Sequence, residues 1–440
     1  MRLKELPLFC LFLLVVPVLW AQKAGSIADL NAAIEHFNKA AVFLEQGNWD
    51  PAILEYNEAI RLNPKYAEAY ANRGYAYAEK EEYDRAITDY SQAIKLDSKF
   101  AAAYVGRGLA YAETGNHNKA ITDYTQAIKY NPNDAITYYI RGNAYGNKGD
   151  HKRAIADFSQ AIKINPDYAD AFFYRGFAYV EKGDYDLAIA DYSQVIKLTP
   201  NNVKAYFDRA WVHGKKGDYP AAIADYTQVI RLEPNDVGNY FIRGLMYSNS
   251  GDQDRAAADF TQAIRLDPNY FNAYYYRGFA YSKKGDHDRA IADYTQAIRI
   301  NPKFADAFFL RGWSCGNKGN HHQAIIDFTE AIRLDPKWAT AYYNRGVSYA
   351  SINENEKAIA DNTQAIKLDP RYAEAYHNRG VEYINNGKYN LAITDLTNAI
   401  RHDPNDALAY YNRGIAYQNK GDTAKANADF AKARELGYSP

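Results

Sequence analysis

Along residues 271–302, Tyr274, Gly278 and Tyr281 recur at helical spacing until the polar run Lys283-Lys284-Gly285-Asp286 interrupts them. A second periodic stretch follows, with Ala290, Ile291, Tyr294, Ala297 and Ile298 on one face, and Asn301-Pro302 closes it. The spacing predicts two amphipathic helices joined by a turn that Gly285 permits and Asp286 caps. The second helix stops at a proline because proline has no amide hydrogen to continue the ladder. Gly278, Ala290 and Ala297 are small enough to let the two helices approach closely, and aromatic rings fill the gaps beside them. A single hairpin of this kind cannot bury its apolar face, so it needs neighbours of the same pattern.

The neighbours are present. Counting Gly278 as position 8, the pattern returns every 34 residues in twelve repeats that start at Ala33, Ala67, Ala101, Ala135, Ala169, Val203, Val237, Phe271, Ala305, Ala339, Ala373 and Ala407. They fill residues 33–440, which leaves residues 1–21 as a leader and residues 22–32 as a lead-in to the first helix. Position 20 is Ala in all twelve repeats, and position 32 is Pro in all but two, where Ser98 and Tyr438 stand.

With an aromatic at 4, Gly at 8, Tyr at 11, Ala at 20, an aromatic at 24, Ala at 27 and Pro at 32, the pattern resembles the tetratricopeptide repeat family. The resemblance covers residues 33–440. It implies an all-α fold, a right-handed superhelical solenoid of twelve helix-turn-helix units that presents a concave groove to partners. The departure is position 7, where the family commonly has Leu and this chain has Arg in eleven repeats.

Wherever position 7 is Arg, position 23 is Asp; in the first repeat Lys39 coincides with Glu55. The charge pair persists when both members change, so Arg277 and its equivalents are expected to reach Asp293 and its equivalents, in the same or the adjacent repeat, as bidentate pairs. At the start, Ser26 and Asp29 have the spacing of a capping box and place the first helix near Ile27. In the last repeat Asn427 and Arg434 replace isoleucines, the polar face of a terminal cap. The tenth repeat has Asn353 for the turn glycine and Asn362 for the core aromatic, which marks a flexing point.

Arg2 and Lys4 precede an apolar run from Leu6 to Leu19 and then Trp20-Ala21-Gln22, the order of a secretory signal peptide with cleavage expected after Ala21. The run is short for a membrane span and contains two prolines, although an uncleaved anchor is the alternative. The expected location is the bacterial periplasm or the exterior. Removing the leader leaves Cys315 alone, which excludes an intramolecular disulfide and reads as a buried apolar residue at position 11.

Net charge of -1 argues against a nucleic-acid partner, which would demand a basic excess. Most of the 41 tyrosines fall at positions 4, 11 and 24, so they belong to the repeat core. In the family, positions 2, 5, 6, 9, 12 and 13 line the groove. Those positions place Tyr139, Phe173, Tyr174, Phe177, Phe207, Trp211, Phe241, Tyr275, Tyr276, Phe279, Phe309 and Trp313 in the middle of the array. Either these rings open to the groove as a binding surface, or those at positions 5 and 9 pack between neighbouring helices. Further on, Asn344, Asn378 and Asn412 at position 6, with Asn385 and Asn419 at 13, could pair with a peptide backbone. They resemble the asparagine ladder of the superhelical glycosyltransferase members, although Asn at position 6 is also ordinary in the family.

The carboxylate clamp of chaperone-binding members is not expected, because no repeat has Lys at position 5. His117, His151, His287 and His321 share position 17, where other repeats carry Tyr or Trp, and so read as half-buried turn residues rather than metal ligands. Lys at position 14 reads as a solvated face. No phosphate loop or nucleophile motif is found, and no cofactor is implied. The sequence therefore points to a non-enzymatic scaffold that binds an extended peptide or helix of an envelope or secreted protein. A glycan-handling or secretion scaffold and a purely structural spacer are the rival readings. The chain is expected to be monomeric or weakly self-associating, with no membrane span after the leader.

Overall fold

The structure, a computed structural model, describes residues 26–439, so the expected leader over 1–21 lies outside the described residues. These form twenty-four α-helices and divide into two compact units between Asp218 and Tyr219. The first unit holds α1 (Ile27–Glu45), α2 (Trp49–Leu62), α3 (Ala67–Glu79), α4 (Tyr83–Leu96), α5 (Ala101–Glu113), α6 (His117–Tyr130), α7 (Ala135–Asn147), α8 (His151–Ile164), α9 (Ala169–Lys182), α10 (Tyr185–Leu198) and α11 (Val203–Lys215). The second holds α12 (Tyr219–Leu232), α13 (Val237–Asn249), α14 (Gln253–Leu266), α15 (Phe271–Lys283), α16 (His287–Ile300), α17 (Ala305–Asn317), α18 (His321–Leu334), α19 (Ala339–Ser351), α20 (Asn355–Leu368), α21 (Ala373–Asn385), α22 (Tyr389–His402), α23 (Ala407–Asn419) and α24 (Thr423–Glu435). Among the described residues no helix is long and apolar enough to cross a membrane.

From Ala67 onward the odd-numbered helices start at position 1 of a repeat and the even-numbered ones at position 17. The first helix starts earlier: Ser26 Oγ accepts from the Asp29 amide and the Asp29 carboxylate accepts from the Ser26 amide, a reciprocal cap. Between the two helices of a repeat the chain turns through a left-handed residue at position 15. Gly285 has φ 78°, and the Asp286 amide donates to the Tyr281 carbonyl at 2.9 Å, which satisfies the end of α15. Glu81 and Asn353 hold the same conformation without being glycine, at φ 63° and 59°. Asn353 thus preserves the turn of the tenth repeat.

Close approach explains the glycine at position 8. A Cβ on Gly142 would lie 2.7 Å from the Phe158 ring, and one on Gly108 would lie 2.5 Å from Tyr124. The ring at position 24 therefore occupies the space that a methyl would need. Alanines at positions 20 and 27, such as Ala290 and Ala297, are fully buried beside it. Within each unit an odd helix packs on its even partner, the even helix packs on the next odd one, and α7 touches α9 as α15 touches α17. The odd helices thus form a row within each unit, and the candidate site lies on that row.

Candidate functional site

Two sets of bonds hold the row in place. Arg277 at position 7 donates through Nε and Nη2 to both oxygens of Asp293, at 2.8 and 2.7 Å, within its own repeat. The same fork joins Arg73 to Asp89, Arg141 to Asp157, Arg311 to Asp327 and Arg413 to Asp429. Donating to the Asp259 carboxylate holds Arg243 above its ordinary range. The aspartates are nearly buried, side chains of Asp293 and Asp327 being 7% and 0% exposed. In the first repeat Lys39 reaches Glu55 at 2.5 Å.

The third nitrogen of the fork reaches back one repeat. Arg277 Nη1 donates to Thr261 Oγ1 at 3.0 Å, and Arg107 Nη1 donates to Ser91 Oγ at 3.0 Å. Thr261 Oγ1 donates in turn to the Ala257 carbonyl, so the hydroxyl is satisfied in both roles. Each of these arginines therefore ties its own hairpin together and fastens it to the one before. Sequence reasoning missed position 25, yet the signal was there: it is Asn57, Ser or Thr in every repeat but the last, which has Ala431.

Lysine at position 14 needs a correction. Lys80 Nζ donates to Asp50 at 2.6 Å, and Lys216, Lys284 and Lys318 pair with Asp186, Asp254 and Asp288, each one repeat back. The lysine stems are long enough to cross to the next turn, so these side chains form exposed inter-repeat pairs rather than a merely solvated face.

The aromatic residues assigned to the groove separate by position. Those at position 5 belong to the core. Tyr139 is fully buried, with ring centroids 5.9 Å from Phe158 and 5.0 Å from Tyr168. Phe173 is buried against Tyr192, and Phe241 packs on Phe260 and Tyr270. Phe309 stacks on Trp338 at 4.5 Å, and Phe207 is half-buried. Tyr275, expected to face the groove, packs on Tyr294 and Phe304, and burial pushes its hydroxyl up to about 12. The partner at position 34 was missed because it alternates with a polar residue. Where it is Tyr, Phe or Trp it joins this cluster; where it is Asp134, Asn202, Asp236 or Asp406 it caps the next helix.

At position 6, Tyr174 and Tyr276 are half-buried against the preceding repeat, Tyr174 on Tyr139 and Tyr276 on Phe241. Position 9 is where rings meet solvent: Phe177, Trp211 and Trp313 are 48%, 41% and 39% exposed. Phe279 is half-buried beneath Lys283, whose ammonium lies 5.3 Å from its centroid.

The asparagines at position 6 are half-buried and partly committed. Asn344 donates to the Thr340 carbonyl at 2.8 Å. Asn412 is 3.0 Å from His377 Nε2, while His377 Nδ1 is 2.7 Å from Asp406. At position 13, Asn419 donates to the Ile415 carbonyl and Asn385 lies 3.4 Å from Glu382. The ladder is therefore built into the helices, with part of its donor capacity spent inside the protein.

Cys315 is buried, and burial pushes its thiol up to about 11, which keeps it protonated and unreactive at neutral pH. The histidines at position 17 open their helices with Nδ1 buried and unpartnered, and His287 stands edge-on to Trp313 at 5.6 Å. Among the described residues, no three His, Cys, Asp or Glu side chains are grouped so as to hold a metal ion.

Comparison with known proteins adds the family. Models described as TPR repeat match residues 40–80, 74–115, 108–149, 142–183, 178–217, 244–285 and 380–421. Others described as tetratricopeptide repeat match 203–236, 271–304 and 339–372, then 363–394, and 305–337 and 407–436. No curated protein matches the chain. Among solved structures, a crystal structure of MamA is 31% identical over 36% of this chain and 93% of its own, with a TM-score of 0.35. YrrB, a TPR protein with an unusual peptide-binding site, is 24% identical over 42% of this chain and 95% of its own, at 0.39. The C-terminal part of a TPR repeat-containing protein from Cytophaga hutchinsonii is 20% identical over 54% and 97%, at 0.48. With TPR models matching well over half of its length, the chain belongs to the tetratricopeptide repeat family.

Proposed function

We propose that this protein is a non-enzymatic interaction scaffold that binds an extended segment or helix of an exported partner on the odd-numbered helices of its units. Membership of the repeat family supports the general role. The observation that carries it further is the exposure of Phe177, Trp211 and Trp313 at position 9, while the rings at position 5 are packed away. Large rings left in water on a scaffold whose other aromatics are buried mark a contact surface. Arg2, Lys4 and the apolar run to Leu19 support export to the periplasm or exterior.

The glycan reading draws on the same rings beside amides, but Asn344 and Asn412 already spend bonds inside the protein. The test is capture of a partner from the cell envelope with the purified chain. Trp211→Ala and Trp313→Ala are each expected to weaken capture about tenfold, as loss of an aromatic anchor does. Undiminished capture by both variants removes this face from the interaction.

A further inference from the structure

We infer that the face formed by α9 and α11 in the first unit docks an extended peptide segment carrying an arginine or lysine side chain. This deepens the scaffold reading and rests on it. The exposed rings are Phe177 on α9 and Trp211 on α11, at the same position of successive repeats. Three residues before Trp211, and so on the same side of the helix, stands Asp208. The preceding repeat has Tyr174 at that position, packed on Phe158 at 6.4 Å. Asp208 instead sets a half-buried carboxylate there, and burial pushes its carboxyl up, with Lys204 opposing.

Among the described residues no cation lies within ion-pair distance of Asp208, although the aspartates at position 23 described above are paired. Lys204 sits over the Phe173 ring at 4.7 Å, and Lys215 lies over Trp211 at 5.1 Å. The rings of this face thus already attract cations, while its most desolvated carboxylate has none. A guanidinium supplied by a partner would meet both oxygens of Asp208 and lie against Trp211, which neutralises a charge that burial has made costly.

Charge along the row selects the same partner. At position 13 the first unit carries Glu45, Glu79, Glu113 and Glu181 against the one cation Lys215, whereas the second unit carries Lys283 and no acid there. A basic segment is drawn to the first unit, and a nucleic acid or acidic peptide is repelled from it.

The test uses the full purified chain and three short labelled peptides of one apolar and aromatic sequence, differing only in carrying Arg, Gln or Glu. Anisotropy titrations are expected to rank Arg above Gln by about tenfold, with Glu weakest and the Arg affinity falling with salt. Asp208→Asn should weaken the Arg peptide about tenfold and leave the Gln peptide unchanged, an effect that loss of structure would not produce. Its melting temperature should not fall, because the variant removes an uncompensated charge. Equal binding of the Arg and Gln peptides, or equal weakening of both by Asp208→Asn, overturns the cationic assignment. The scaffold reading survives that result if Trp211→Ala still weakens either peptide. No binding by any of the three overturns docking at this face, and partner capture then decides the scaffold reading by itself.

Discussion

At the scale of single residues, the informative positions are those where this chain exchanges one kind of contact for another. In the fourth repeat, positions 5 and 34 and position 6 of the next repeat are Tyr139, Tyr168 and Tyr174, three rings in contact. In the eleventh they are His377, Asp406 and Asn412, joined by hydrogen bonds instead. The Asp406 side chain also accepts from the Ala409 amide, so one carboxylate caps α23 and orients the imidazole. Burial works against its charge, but hydrogen bonds, the one to His377 foremost, outweigh it and hold the carboxyl below its ordinary value. A depressed carboxyl contributes stability above its unfolded pKa and loses it as pH falls through the folded one. Asp406→Asn keeps the cap and removes the charge. It should cost about 1–3 kcal/mol at neutral pH, with the difference from the parent vanishing toward strong acid. Melting curves across pH decide this; a constant difference would place the contribution in packing, not charge.

At the scale of the helix pair, the core depends on the residue at position 24 filling the space beside the glycine at position 8. The tenth repeat breaks that rule. Asn362 is 1% exposed between α19 and α20, and its Oδ1 has no hydrogen-bond partner. Asn362→Phe restores the side chain found at Phe158, Phe260 and Phe328 and removes a stranded acceptor, so it should stabilise the protein by about 1–3 kcal/mol. A lower melting temperature would show that the pocket there has closed around the amide. Most of this architecture was legible in the sequence, because a 34-residue period compares each residue with its equivalents in the other repeats. Helix starts, the left-handed turn and the pairing of Arg277 with Asp293 all followed from that comparison. The groove did not. Whether Tyr275 or Trp313 meets water depends on which ring stands opposite: Phe304, at position 34 of the same repeat, covers Tyr275, whereas Trp313 is left 39% exposed. Periodicity predicts which way a side chain points, not whether a ring at position 34 covers it.

At the scale of the whole molecule, each repeat contacts its neighbours, so stability is a sum of hairpin terms and joint terms. The arginine at position 7 enters both. Arg277 holds α15 to α16 through Asp293 and fastens the eighth repeat to the seventh through Thr261. Removing the arginine strands a nearly buried carboxylate, whereas removing the threonine hydroxyl deletes the joint bond alone. Arg277→Met should therefore cost about 3–5 kcal/mol and Thr261→Val about 1 kcal/mol. The difference should also be spatial. Amide exchange in Arg277→Met should quicken in α14, α15 and α16, which flank the broken contacts, while α3 to α6 in the first unit keep their protection. Thr261→Val should touch only the junction of α14 and α15, because Asp293 remains paired. If the two variants instead cost the same, the fork to Asp293 adds nothing beyond the joint. The coupled choice of Arg and Asp in eleven repeats would then need a cause other than stability.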